Sequence, residues 1–267
     1  MDFEYQYALL VQEILDQTAL RETRNANTKA IFGRLLAVDT LRKSQFPILY
    51  GRKMFWKGVA GELATFLQGP EHIKDFKDNG CNFWNQWADD DGTLTLDYGN
   101  AWTDFNGVNQ LKDVVESLKT NPHGRRHVIS AWRPDRLKDL SLPCCHYAYQ
   151  WFVDEDDWLH MIWIQRSVDT MIGLPSDIVS AAIFNILMAQ TTRYHPGRIT
   201  LQLGDTHIYE DHLDAAKTYV DRVFYENLQN YSSWTVDPEA TVFNFKPSMF
   251  EVTNYHPMGA LDFNLIA

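Results

Sequence analysis

Cysteine is scarce in this chain: 3 in 267 residues, two of them adjacent at Cys144 and Cys145. So thin a supply excludes a disulfide framework and fits a reducing compartment. Long apolar runs are also missing. None approaches the roughly 18 residues that a membrane-spanning helix needs, so no span is expected. Met1-Asp2-Phe3-Glu4 lacks the basic start and apolar stretch of a secretory signal, so a cytoplasmic protein is expected. Positive charge is in short supply, 24 Lys and Arg against 35 Asp and Glu, for a net charge of −11. That balance argues against polymeric nucleic acid as a partner, because a phosphate backbone demands clustered cations. Locally gathered arginines can still hold a small anion. The 14 glycines and 10 prolines form no linker, and no repeat occurs. Residues 1–267 therefore read as one domain.

What is present is core. Hydrophobic residues make up 45% of the chain and aromatics 13%, enough to fill a large interior. Tyr7, Leu10, Val11, Ile14 and Leu15 share one helical face. Phe55 to Leu67 reads as a second helix, with Phe55, Val59, Leu63 and Phe66 on the apolar side. Ile178 to Ala189 is apolar almost all round and belongs in the middle of a core. Strands are expected at 127–132, 147–153, 158–164 and 199–203, and again around Phe243 and Phe245. Asp89-Asp90-Asp91-Gly92 reads as a turn. Strands and helices do not alternate regularly. The expected class is α+β, a large mixed or antiparallel sheet covered by helices.

Several residues stand out chemically. Glu62 lies on the apolar side of the second helix, where desolvation would raise its pKa. Cys145 precedes His146, but neighbours on a strand face opposite ways, so the two do not make a hydrolase pair. A thiolate there needs arginines from elsewhere, and Arg166 leads. Asp177, standing before an apolar helix, reads on its own as a cap. Tandem Arg125 and Arg126 read on their own as surface charges. His207 and His212 lack ligand spacing with any Cys or Asp, so no metal is expected.

Taken in order, a set of short stretches carries more than any one of them. They are Ile31-Phe32-Gly33, Gly61-Glu62-Leu63, Phe83-Trp84-Asn85-Gln86-Trp87, Tyr98-Gly99 and Arg125-Arg126-His127. After them come Cys144-Cys145-His146, Gln165-Arg166-Ser167-Val168-Asp169, Gly173-Leu174-Pro175 and Gly204-Asp205-Thr206-His207-Ile208-Tyr209. In this order they resemble the thymidylate synthase family, on the branch that includes phage deoxycytidylate hydroxymethylases. The resemblance runs over most of the chain. It departs from the family at Cys144, where the family has Pro, at Arg21 to Thr28, where the family loop is glycine-rich, and at Thr95-Leu96-Asp97.

The resemblance implies a thymidylate synthase-like fold and one-carbon transfer from 5,10-methylene-tetrahydrofolate to C5 of a pyrimidine nucleotide. Cys145 would add to C6, with Cys144 the fallback. Glu62 would carry protons, and Tyr98 would assist at the C5 proton. Phosphate would be held by Arg24 or Arg21, Arg166 and Ser167, and by Arg125 and Arg126 from a second subunit of a homodimer with shared sites. Gln165, His207 and Tyr209 complete the nucleotide contacts, and Trp84, Leu142, Asp169, Gly173 and Ala267 would meet the folate. The family normally has Asn at position 177, where an amide reads uracil. A carboxylate at Asp177 instead accepts from the cytosine amino group and shares a proton with N3, which points to dCMP over dUMP. The expected product is 5-hydroxymethyl-dCMP, made with water in an infected host's cytoplasm. A methyl product is the alternative, with ordinary thymidylate synthesis behind it. A nucleic-acid-binding relative without catalysis stands as the reading from a different class.

Overall fold

A computed structural model describes residues 3–226, 228 and 231–266. In chain order the elements are α1 (Phe3–Leu15), β1 (Thr28–Val38), α2 (Trp56–Phe66), α3 (Ile73–Asp78), α4 (Asn100–Thr103), α5 (Gln110–Thr120) and β2 (Val128–Ser130). They continue with β3 (His146–Val153), β4 (Trp158–Asp169), α6 (Gly173–Thr192), β5 (His195–Tyr209), α7 (Leu213–Tyr225), β6 (Ser233–Val236) and β7 (Phe250–Thr253). Five strands form one mixed sheet in the order β1-β5-β4-β3-β2. Only β4 and β5 run parallel; α6 is the crossover between them. The expected α+β class holds.

α6 is apolar almost all round because it is buried almost all round, against β4, β5, α2 and α5. It begins earlier than its apolar run, at Gly173, because Pro175 suits a first helical turn. It ends at Arg193, whose left-handed φ of 68° closes the last turn. α1 buries Tyr7, Leu10, Val11 and Ile14, the face its spacing predicts. α2 is one residue shorter at each end than expected, and Phe55 stands outside it, 61% exposed. No strand forms at Phe243 and Phe245. That segment is a turn, with Asn244 accepting from Thr241 N, and the late strands are β6 and β7. Among the described residues no helix is long and apolar enough to cross a membrane.

Register brings distant pieces of chain to one end of the sheet. The start of β3 meets the end of β4 (His146 opposite Gln165), and the end of β4 meets the end of β5 (Asp169 beside His207). The end of β5 meets the start of β1 (Tyr209 opposite Thr28). The first turns of α6 sit at that same end.

The other face of the sheet is unusual. Gly33, at φ 71°, is skipped in the pairing of β1 with β5. Gly204 opposite is skipped too, so the register does not shift, but the side of the strand that is buried changes there. Ile31 is buried before it and Leu36 and Val38 after it, while Phe32 and Leu35 point outward at 77% and 71% exposure.

Candidate active site

A cavity of about 370 Å³ opens at this end of the sheet. One wall is chemical: Glu62, Tyr98, Cys145, His146 and Asp177. The rest of the lining is largely apolar: Phe83, Trp84, Trp87, Leu142, Ile172, Phe263 and Leu265. A second cleft of about 210 Å³ is lined by Arg21, Thr23, Arg24, Asn25, Thr28, Ser167, Asp205, His207 and Tyr209. The Cys145 thiol lies close enough to Tyr209 to help raise its phenol, so the two hollows are near each other.

Glu62 projects from α2 with its carboxyl bonded by the Trp84 indole, Nε1 to Oε1 at 2.7 Å. Burial raises this carboxyl to about 7; the indole bond opposes the rise. α2 can come this close to the loop after α3 because Gly61 has no side chain. A Cβ there would sit 2.2 Å from Asn79 O. Gly99 plays the same part beside Tyr98: its φ is 73°, and a Cβ would lie 1.8 Å from Phe66 O. Tyr98 consequently stacks on Phe66 and reaches the backbone N–H of Cys145 with its hydroxyl.

Cys144 and Cys145 divide clearly. Cys144 is 1% exposed and turns its thiol toward Ala131 O, away from the cavity. Cys145 lines the cavity. Burial raises its thiol, and the Arg166 guanidinium and the Tyr98 hydroxyl pull it back down without overcoming burial. Arg166 is anchored by Nε to Cys144 O (2.8 Å) and Nη2 to Pro143 O (2.9 Å), over the Trp132 ring. It therefore holds the loop that carries Cys145.

Asp177 lies one turn into α6 and does not cap it. The cap position is Ile172, and Asp169 takes the amides of Met171 and Ile172. With those amides served, the Asp177 side chain is left for the cavity. Gln165 Nε2 donates to Asp177 Oδ2 at 2.5 Å, and Oδ1 lies 3.8 Å from His146 Nε2. Burial, then the neighbouring Glu62 carboxylate, raises Asp177 well above the carboxylate range.

In the second cleft His207 and Tyr209 face the same way, as their spacing predicts, with rings 5.2 Å apart. Arg21 is committed to Asp205 at 2.6 Å, whereas Arg24 makes no ion pair among the described residues. The competition at the phosphate position thus leaves Arg24 the freer cation.

The structure does not gather every candidate. Asp169 serves the turn before α6 and does not line the cavity. Arg125 and Arg126 are exposed and line neither hollow. Ala267 lies outside the described residues. His146 corrects the alternation argument. The pairing of β3 with β4 shifts between His146 and Ala148, and Cys145 precedes the strand, so both side chains reach the cavity. Phe263 and Leu265 carried no periodic signal. They are placed by Arg52, 4.6 Å over the Phe263 ring, and by His212 Nε2 bonding Asn264 O at 2.7 Å.

No group of three or more His, Cys, Asp or Glu is arranged to hold a metal among the described residues. Comparison with protein families matches residues 5–267 to the family described as "Thymidylate synthase".

Proposed function

The chain belongs to the thymidylate synthase family, whose members transfer a one-carbon unit from a folate to a pyrimidine nucleotide. From that premise we propose that it converts dCMP to 5-hydroxymethyl-dCMP. The observation that carries the reading is Asp177: a carboxyl group on the wall beside Cys145, pushed up in pKa by burial. A protonated carboxyl offers one donor and one acceptor to the edge of cytosine, a donor for N3 and an acceptor for the amino group.

Methylene-tetrahydrofolate supplies the carbon. The apolar lining of Trp84, Trp87, Phe83, Leu142 and Phe263 suits its flat ring system. Cys145 acts on the nucleotide alone. Its thiolate adds to C6 and makes C5 nucleophilic, and its departure at the end restores the ring. Glu62, at about 7, is poised to give and take protons near neutral pH. Tyr98, its hydroxyl beside Cys145, assists removal of the C5 proton. Arg24, Ser167 and Arg166 face the phosphate, and His207 and Tyr209 hold the sugar 3′-hydroxyl; guanidinium groups suit phosphate because they donate as a fork.

The site is shared within a homodimer. Phe32, Leu35, Phe152 and Val128 leave an apolar sheet face uncovered, which favours a second copy there. Arg125 and Arg126 are free of side-chain partners among the described residues and would reach the partner's phosphate.

A methyl product remains the second reading. Phe263 and Leu265 line the cavity, and an apolar tail that excludes water favours hydride over water as the final reactant. The test is mass spectrometry of the product from dCMP and methylene-tetrahydrofolate. A hydroxymethyl product supports the proposal, and a methyl product with dihydrofolate supports the second reading. No turnover of dCMP beside turnover of dUMP contradicts both.

A further inference from the structure

Tyr149 is 0% exposed, and its ring is surrounded by Trp102 (5.0 Å), Trp163 (4.8 Å) and Phe184 (6.2 Å). Phenylalanine would fill that space equally well. The hydroxyl is the difference; the Trp102 indole is directed at it, and its close contacts are with His146. Its oxygen lies 2.5 Å from His146 Nδ1 and 3.2 Å from His146 O.

Those two contacts fix a proton. A phenol has one hydrogen, and a carbonyl oxygen can only accept. The hydroxyl hydrogen therefore goes to His146 O, and the phenol oxygen accepts from Nδ1–H. The opposite tautomer would draw the hydroxyl hydrogen to Nδ1 and leave two oxygens facing each other at 3.2 Å. A neutral imidazole with its proton on Nδ1 has a bare lone pair on Nε2. Burial lowers His146 to about 3, so the ring stays neutral across the working range.

That lone pair is on the cavity wall, 3.8 Å from Asp177 Oδ1. Gln165 holds the other oxygen, Oδ2. A nitrogen bearing two hydrogens can stand in front of Nε2 and the carboxyl oxygen, about 2.9 Å from each. The 4-amino group of cytosine is such a nitrogen. The O4 of uracil would meet the Nε2 lone pair instead.

We infer that Tyr149 and His146 form a second reader of position 4 of the base, with Tyr149 setting the tautomer and His146 Nε2 accepting the amino hydrogen that Asp177 does not take. The inference rests on the reading of Asp177 as a cytosine reader and adds a specificity-determining pair to it. Tyr149 is a positioning residue: it touches His146, not the base.

The test uses the full chain and Tyr149→Phe. Long-range nitrogen–proton NMR on histidine-labelled protein reads the tautomer, with His146 assigned by comparison with His146→Gln. The wild type is expected to carry the His146 proton on Nδ1, and Tyr149→Phe to lose that preference. In parallel, kcat/KM is measured for dCMP and dUMP. Tyr149→Phe frees Nε2 to donate to O4, so selectivity for dCMP is expected to fall about ten-fold, chiefly by gain on dUMP. A wild type that prefers dUMP removes the Asp177 reading and this inference together. A wild type that prefers dCMP, with an unchanged ratio in Tyr149→Phe, overturns this inference alone. So does a wild-type His146 with its proton on Nε2, a result that stands even if the variant does not fold.

Discussion

Gln165 and Asp177 meet side chain to side chain at 2.5 Å, across the gap between β4, the middle strand of the sheet, and the long central helix. The contact holds one carboxyl oxygen and turns the other toward the cavity where Cys145 and His146 lie.

Cys145 lines the cavity and Cys144 does not. Cys145→Ala should lower turnover by roughly 10³-fold or more, as loss of a nucleophile does. Nucleotide binding, measured by calorimetry, should survive, because arginines and Asp177 carry it. Cys144→Ala should keep most of its activity. The reverse pattern would move the nucleophile to Cys144.

Glu62 gives a stability prediction with a definite sign. Its carboxyl is raised to about 7 from 4.5, so the folded chain binds this proton more tightly than the unfolded chain. The stability it contributes is full below about pH 4.5 and is lost as pH rises through about 7. Glu62→Gln carries no titrating group. Between acidic and mildly alkaline pH the wild type should lose at most about 3 kcal/mol more than the variant does. Urea unfolding at both pH values measures the difference; equal losses in the two proteins would refute it.

The Trp84 indole holds the Glu62 carboxyl down by donating to it at 2.7 Å. Trp84→Phe removes that donor and should raise Glu62 further. The limb of the kcat/KM profile in which rate rises with pH should move to higher pH. A limb that stays in place would separate Glu62 from the step that limits the rate.

Much of this wall is legible in the sequence, for a physical reason. Apolar runs such as Ile178 to Ala189 reveal the central helix because burial on all sides demands apolar residues on all sides. Glu62 could be picked out because a carboxylate on an apolar helical face is conspicuous. The family motifs supply roles that no periodicity contains. What stayed hidden depends on three dimensions. Gln165 is twelve positions from Asp177, and nothing in that spacing says their side chains touch. His146 reaches the cavity through a register shift at the start of its strand, which simple alternation forbids. Phe243 and Phe245 look like a strand but sit in a turn stabilised by Asn244. Phe263 is held by Arg52, more than two hundred residues earlier in the chain.

A shared site predicts complementation. Arg126→Ala should weaken nucleotide binding, and so should loss of its neighbour Arg125. Mixing Arg126→Ala subunits with Cys145→Ala subunits should restore activity, because some sites then combine an intact Cys145 with an intact Arg126. No recovery after subunit exchange has been demonstrated would count against sharing.

The most direct measurement is kcat/KM for dCMP and dUMP in the wild type and in Asp177→Asn. With the Asp177 proton held at the N3 position, as cytosine requires, its other oxygen is an acceptor at position 4; uracil O4 there is left unpaired, and an unpaired buried acceptor costs about 1–3 kcal/mol. That is roughly ten-fold or more in selectivity. The wild type should therefore prefer dCMP, and Asp177→Asn should shift the ratio toward dUMP by at least about ten-fold. A wild type that already prefers dUMP, or a ratio that Asp177→Asn leaves unmoved, would contradict the account at its centre.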